Sequence, residues 1–435
     1  MIIVLLFVLM FTLMALGLPI ALSIGLPAIG LIVTPGVFPD VVTVAALGQT
    51  IVQQLFSGVD SFDLLAVPLF MIAGALMETG GISRRLIDFC NSLVGWAPGG
   101  LAAAAIVASM IIAGISGSAA ADTAAIGAVV IPAMIRQGYP APFAAAVVAA
   151  GGAIGVIIPP SIPMVIFGFM TNISTSQLFA GGMLVGALMG TSFIAVAVWI
   201  SWRKGYGQRA PFCWQAVRAN GKLAIWSLGA PVVVLGGILS GVVTVTEAAA
   251  LAVGYALLVG TLINRELAWK DLPGLIIKSQ VAAGGILFII AMAKIFGWLL
   301  AMQQGAHLLD VFVNSLSLPP LGLLLLVMAL LLVVGCVMET TAALLLMVPV
   351  LVLLTPQMMI DPVQFGVLVV VNLAIGMMTP PVGICLFVSC GVAGISLGNI
   401  ARAVTPLVIV AMINLMIAAL WSPLTLWLPT LFYRQ

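Results

Sequence analysis

Residues 113–134 read AGISGSAAADTAAIGAVVIPAM, and residues 334–351 read VGCVMETTAALLLMVPVL. In each, an apolar run reaches a polar tip, an acidic residue stands beside a threonine, and a proline follows. Asp122-Thr123 and Pro132 in the first match Glu339-Thr340 and Pro349 in the second at a constant offset. Two further pairs keep the same order. AIGVIIPPSIPMVIF (153–167) matches AIGMMTPPVGICLF (374–387), aligning Pro159-Pro160 with Pro380-Pro381, and F-x-NSL recurs at 89–93 and 312–316. Three matches in one order mark an internal repeat.

The composition around these stretches fixes the solvent. Of 435 residues, 63% are apolar and 6% charged, and the mean hydropathy is +1.34. Soluble domains average roughly 45–50% apolar and about 25% charged, so this chain is an all-α, polytopic membrane protein. A cytoplasmic enzyme, a nucleic-acid binder and a disordered scaffold are excluded, and the lipid bilayer is an obligatory partner. The five cysteines contain no C-x-x-C and read as small hydrophobes. With His307 as the only histidine, neither a His-based metal cluster nor a catalytic triad is expected, and no P-loop motif is present. The N-terminus, MIIVLLFVLMFTLMALG, lacks a basic leader and reads as a retained membrane helix. Residues 1–34 fit one broken span or two short ones, and residues 41–60 fit an interfacial helix.

Basic residues orient the spans. Arg84 and Arg85, Arg136, the group Arg203, Lys204, Arg209, Arg218 and Lys222, the group Arg265, Lys270 and Lys278, and Arg402 fall in five loops. Loops 304–319 and 355–364 carry no Lys or Arg, but do carry Asp310 and Asp361. Lys294 lies inside a span and Arg434 in the tail; the other twelve of fourteen basic residues can share the cytoplasmic side. Segment 99–135 then begins and ends inside, and segment 320–354 begins and ends outside, so the repeats are inverted. Each half of these segments is about 25 Å long as helix, a little short of the bilayer core. Re-entrant hairpins with polar tips near the midplane fit better than pairs of full spans.

The expected organisation follows. Residues 1–61 supply N-terminal scaffold and interfacial helices. Residues 62–178 form the first inverted repeat, with hairpin 99–135 and broken helix 143–178. Residues 179–279 supply scaffold helices with basic loops. Residues 280–397 form the second repeat, with hairpin 320–354 and broken helix 365–397, and 398–435 a final scaffold helix.

The tips and the Pro-Pro breaks hold the unusual chemistry. Gly114 to Ser118 lead into Asp122-Thr123, and Gly335-Cys336 into Glu339-Thr340-Thr341. An intramembrane carboxylate marks a functional site. Turns between half-helices expose carbonyls that suit Na⁺ and N–H groups that suit an anion. Two successive prolines cannot continue a helix, and Gly155 and Gly376 loosen the same turn. Lys294 is placed to pair with Glu339 or meet a substrate carboxylate. Glu247 reads as a helix-start residue, Gly182, Gly186 and Gly190 as a packing stripe, and Asn372 as a partner for a neighbouring span or the second site.

On GISGSAAADTAAIG, IPAMIRQGYP, GVIIPPSIPMVIFG, GGILSGVVTVTEAAA and MTPPVGICLFV, the chain resembles the large membrane subunit of tripartite ATP-independent periplasmic (TRAP) transporters. The resemblance runs through nearly all of the chain. It implies a Na⁺-coupled importer of organic anions in the bacterial inner membrane, and not an enzyme. It implies elevator-type movement, a small four-helix membrane subunit and a periplasmic substrate-binding protein. By motif, Ser116, Gly117, Ser118, Gly155 and Pro159 would form one Na⁺ site, and Gly335, Glu339, Thr340, Gly376 and Thr379 the other. Substrate would lie near Ser118, Asp122, Ser161, Lys294 and Glu339, with Na⁺ as coupling ion and no other cofactor. Glu339 stands where the family usually has Asp, and Cys385 where it has Asn. The alternative is a stand-alone anion exchanger or efflux carrier of the same architecture. An intramembrane enzyme using Asp122 and Glu339 fits the repeat less well.

Overall fold

A computed structural model describes residues 2–34, 44–207 and 212–433. The N-terminal segment breaks where Gly17 takes a left-handed φ of +84° and Pro19 follows, giving two short helices, α1 (Ile2–Ala15) and α2 (Ile20–Val33). The stretch expected to be an interfacial helix, 41–60, holds the helix α3 (Val44–Val59), bent by 58° from the helix after it; residues 41–43 lie outside the described residues, as do Arg209 and Arg434. Then come α4 (Ala66–Thr79), α5 (Ile82–Val94), α6 (Gly100–Ser116), α7 (Ala119–Arg136), α8 (Ala141–Ala153), α9 (Ile162–Thr171) and α10 (Thr175–Lys204). Two helices follow without counterparts, α11 (Trp214–Leu239) and α12 (Val245–Leu257), the latter running on as a π-helical turn. The second series is α13 (Leu272–Met302), α14 (Gly305–Leu316), α15 (Pro320–Val337), α16 (Thr340–Met358), α17 (Pro362–Met377), α18 (Ile384–Ala393) and α19 (Leu397–Leu420). The chain closes with α20 (Pro423–Tyr433), so the single helix expected over 398–435 is two.

All described secondary structure is helical, and eight helices are long and apolar enough to cross a membrane, or nine if the bent pair counts as one span. The order of elements recurs. A helix and a short amphipathic helix (α4, α5; α13, α14) precede two helices joined by a two-residue turn (α6, α7; α15, α16). A helix broken at Pro-Pro (α8, α9; α17, α18) and a long helix (α10; α19) complete each series.

The turns correct the alignment read from the acidic residues. They fall at Gly117-Ser118 and Met338-Glu339, 221 positions apart, the same spacing as Pro159 and Pro380. Asp122 and Glu339 are 217 apart. Asp122 therefore sits in the first turn of α7, whereas Glu339 is the N-cap of α16. The difference of four residues is about one helical turn, which preserves the apparent pattern while displacing the true register.

At the structural spacing, Gly114 pairs with Gly335 and Gly155 with Gly376. A Cβ on Gly376 would lie 2.5 Å from the Gly335 carbonyl carbon and 2.6 Å from its Cα. Backbone thus meets backbone where α15 crosses α17. Asn372 Nδ2 donates to the Met328 carbonyl at 2.7 Å across the same pair of helices. Thr244 and Glu247 form a capping box at the start of α12, the structural role read for Glu247. The glycine stripe of α10 is a packing face: Cβ atoms at Gly182, Gly186 and Gly190 would strike Met164, Ile158 and Met110.

Several loops rich in basic residues gather on one face. Arg85 pairs with Glu266 at 2.7 Å, Asn220 donates to the Asp88 carbonyl, Trp96 stacks edge-on to Phe212, and Phe143 contacts Tyr206. Gln357 and Asp310 hydrogen-bond between the two loops expected outside. Most of the basic residues expected in loops lie in helices near their ends: Arg84 and Arg85 in α5, Arg136 in α7, Arg203 and Lys204 in α10, Arg218 and Lys222 in α11, Lys278 in α13 and Arg402 in α19, with Arg265 and Lys270 in a loop. Charge counting alone puts such residues at a helix end or in the adjoining loop with equal ease.

Because the Gly376–Gly335 contact is backbone on backbone, no side-chain rotation can relieve an added methyl. Gly376→Ala is expected to cost about 1–3 kcal/mol, read as a lower midpoint in thermal melts of detergent-solubilised protein. Gly236→Ala, where nothing lies within 4 Å of the added Cβ, should leave the midpoint unchanged or raise it slightly, since Ala favours a helix over Gly.

Candidate functional site

Each turn is seated on its own broken helix. Gly117, at φ +62°, packs so closely that a Cβ would lie 2.7 Å from the Pro160 carbonyl oxygen and 3.1 Å from the Ile162 nitrogen. In the second repeat the Gly383 N–H donates to the Cys336 carbonyl at 2.9 Å. Both Pro-Pro bonds are cis. Ser161 caps α9: its hydroxyl donates to the Val156 carbonyl at 2.5 Å and accepts from the Met164 N–H at 3.3 Å.

The polar groups behind these turns are incompletely paired. Ser116 donates to Asp122 Oδ1. Asp122 Oδ2 is buried without a hydrogen-bond partner and faces Gly155, where a Cβ would lie 2.3 Å away. Thr340 is fully buried and its hydroxyl is also unpartnered. Glu339, by contrast, is engaged: its carboxylate accepts from the Thr341 N–H at 2.9 Å, the Thr341 hydroxyl at 3.0 Å and the Ala342 N–H at 3.2 Å. Negative charge at this helix start is favoured by the α16 dipole.

In front of the turns lies a cavity of about 730 Å³. Ser116, Gly117, Ser118 and Asp122 line it from the first hairpin, and Glu339 and Thr341 from the second. The opposite wall is α4 and α13, which contribute Gly74, Glu78, Lys278 and Ser279 among others. The fold thus brings elements from both repeats to one space bordered by carboxylates, hydroxyls and, among the described residues, a single lysine.

The profile of the family described as "Tripartite ATP-independent periplasmic transporter, DctM component" matches residues 7–424. The chain belongs to this family. Among TRAP permease relatives, it is 38% identical over 402 residues to the isethionate TRAP transporter permease protein DctMQ of Oleidesulfovibrio alaskensis, covering 92% of this chain and 62% of that protein. It is 36% identical to the 2,3-diketo-L-gulonate TRAP transporter large permease protein YiaN of Escherichia coli K12, covering 95% and 96%. It is 38% identical to the C4-dicarboxylate TRAP transporter large permease protein DctM of Pseudomonas aeruginosa, covering 88% and 89%. The chain therefore spans less than two thirds of the first relative and nearly all of the second. The crystal structure of the Alcanivorax borkumensis YdaH transporter shares the fold at a TM-score of 0.67 and 15% identity, covering 93% of this chain and 98% of that one.

Within this TRAP permease, the residues singled out from sequence are not all in one place. Ser116, Gly117, Ser118, Asp122 and Glu339 line the cavity. Gly155 and Pro159 lie buried behind the first tip, and Gly335 and Gly376 behind the second. Thr340 is buried beside the second tip; Thr379 is half-buried with its hydroxyl donating to the Ile375 carbonyl at 2.7 Å. Ser161 is occupied as a cap and does not border the cavity. Lys294 is exposed at the crossing of α13 with α3, where a Cβ on Gly58 would lie 3.1 Å from its Cβ, and it is not in the cavity wall.

Two charged cavity residues lie outside the site expected from sequence: Glu78, at the end of an apolar run, and Lys278, assigned to a loop. The signal available for Lys278 was Pro273, a residue favoured in a first helical turn; it places Lys278 inside the helix.

Ser161→Ala removes a cap and a bridge across the break. It should lower the thermal midpoint by an amount equivalent to about 1 kcal/mol while leaving the substrate concentration for half-maximal uptake unchanged. A large change in that concentration would return Ser161 to the substrate site.

Proposed function

We propose that this TRAP permease is the membrane importer subunit of a Na⁺-coupled system for a small organic anion in the bacterial inner membrane. A small membrane subunit and a periplasmic substrate-binding protein complete the system in this reading. The observation that carries the ion coupling is the pair of unpartnered buried oxygens, Asp122 Oδ2 and Thr340 Oγ1, one at each hairpin. Leaving such a group unpaired costs about 1–3 kcal/mol, and a bound cation supplies the missing partner. The donors are hard oxygens, and among the described residues no three His, Cys, Asp or Glu converge as a transition-metal site would need. Ser116, Gly117, Ser118, Gly155 and Pro159 would contribute to the first Na⁺ site. Gly335, Glu339, Thr340, Gly376 and Thr379 would contribute to the second.

The names of the relatives, for isethionate, a diketogulonate and C4-dicarboxylates, share one chemistry, a small polar body bearing one or two anionic groups. The cavity in front of the tips has room for such a molecule, with Ser118, Asp122 and Glu339 at its inner end. Ion binding first would neutralise carboxylate charge there, and the anion would follow. That order couples the two fluxes.

The mobile unit in this reading consists of both hairpins and both broken helices, α6–α9 and α15–α18. Residues 179–279 do not then act as one scaffold: α10 travels with the unit, because its glycines seat on Ile158 and Met164. The cavity borders Ile82, Ser83 and Lys278, next to the face that gathers basic loops. The described conformation is accordingly assigned to the inward-facing state.

Thr340→Val keeps the shape of the side chain and removes the unpartnered hydroxyl. The Na⁺ concentration for half-maximal uptake should rise about three- to tenfold, with normal expression and maximal rate nearly retained. Wild-type Na⁺ dependence would remove Thr340 from the ion site.

A further inference from the structure

Among the described residues, Lys278 is the only Lys or Arg bordering the cavity, which it shares with three carboxylates, Glu78, Asp122 and Glu339. An organic anion entering that space meets a net negative wall unless cations intervene. Two of the carboxylates are committed locally, Asp122 to Ser116 and Glu339 to the first turn of α16. Glu78, on α4, borders the same cavity as Lys278. Among the described residues the one close ion pair is nevertheless Arg85–Glu266. Lys278 is exposed within the cavity and is not locked to Glu78.

The backbone presents Lys278 to this space and keeps Lys294 out of it. Leu275, Lys278, Ser279, Ala282 and Ile286 follow one face of α13 along the cavity. Lys294 is sixteen residues further on, a rotation of about 160° at 3.6 residues per turn, which turns it to the α3 side. The α4 wall carrying Glu78 is fixed in turn: Asn264 Nδ2 donates to the Gly80 carbonyl at 2.9 Å, and the Arg85–Glu266 pair ties the adjoining helix to the same loop. Glu78 and Lys278 therefore stand on a wall braced by the loop at 264–266, opposite the Ser116–Ser118 tip.

We propose that Lys278 is a specificity-determining residue that receives the anionic group of the substrate, a carboxylate or sulfonate, as it leaves the first hairpin tip for the cytoplasm, and that Glu78 competes for the same ammonium and keeps the contact transient. This rests on the importer reading given above and adds a residue to it. A cation held without competition would retain the anion; an opposed carboxylate of similar reach makes arrival and departure comparably easy. A single ammonium also matches one anionic group at a time, so a second charge on the substrate would contact hydroxyls of the tip.

The test uses the purified complete complex in proteoliposomes, oriented so that the cytoplasmic face can be addressed. Succinate, isethionate and 2,3-diketo-L-gulonate are the probes, and whichever the wild type moves in a Na⁺ gradient is carried forward. Lys278→Gln should raise the half-saturating probe concentration at the cytoplasmic face about tenfold. The Na⁺ requirement and the maximal flux should stay near wild type, since Na⁺ binds behind the tips. Lys278→Arg should restore most of the affinity, which a merely structural role would not predict. Glu78→Gln should lower the half-saturating concentration, and it decides the matter by itself if Lys278→Gln does not reach the membrane. Unchanged half-saturation in Lys278→Gln, or in Glu78→Gln where that variant decides, overturns the assignment while leaving the importer reading in place. Flux of the moved probe by the wild-type complex that does not depend on the Na⁺ gradient contradicts the importer reading itself.

Discussion

A helix that ends inside a membrane must hand its free N–H and C=O groups to something other than water. That constraint governs this molecule. The two turns and the two Pro-Pro breaks end eight half-helices, α6–α9 and α15–α18, and the fold meets the need by seating each turn on its own break. Gly117 lies against the Pro160 carbonyl, and the Gly383 N–H reaches the Cys336 carbonyl. Glycine is required where backbone meets backbone, as Gly335 meets Gly376. Among the buried groups left unpaired, Asp122 Oδ2 and Thr340 Oγ1 lie beside the turns themselves.

The same constraint explains why the apolar packing is divided. One large cluster runs through the hairpins, the broken helices and α10, and takes in α4, α5, α11, α12 and α19 and part of α13 as well. A second, of α1, α2 and α13, includes Leu346 of α16 and has Met347 and Val350 packed against it. Contact between the second cluster and the hairpin is thus apolar at these positions. Dispersion contacts of this kind can be exchanged for similar ones after a displacement, whereas a lattice of hydrogen bonds could not. The cavity lies between a wall carrying Glu78 and Lys278 and a tip carrying Ser116, Gly117 and Ser118.

Much of this was legible in the residues. The tips, both Pro-Pro breaks, the capping role of Glu247 and the packing of Gly182, Gly186 and Gly190 follow from local chemistry that sequence displays directly. The family could be read from motifs, and the family profile agrees. What escaped was position along a helix. In alanine- and leucine-rich segments, a shift of four residues preserves the face and nearly preserves the pattern, so Asp122 and Glu339 seemed equivalent when they sit one turn apart. Lys278 was hidden in a loop because an apolar window does not mark where α13 starts. Lys294 drew attention for being mid-span, yet the face of a helix that a residue occupies depends on neighbours distant in sequence. Ser161 was read by motif, and its hydroxyl is committed to the cap of α9.

The central claim is that the hairpins and broken helices travel together past α13. An ideal Cβ on Gly297 of α13 lies 3.9 Å from the Pro349 Cβ of α16, a separation suited to a disulfide. Uptake should be measured for the Gly297→Cys/Pro349→Cys protein, oxidised to completion and then reduced. The account predicts that uptake stops in the crosslinked protein and returns on reduction. Full uptake with the crosslink intact would contradict it, and would favour gating at a site that stays in place.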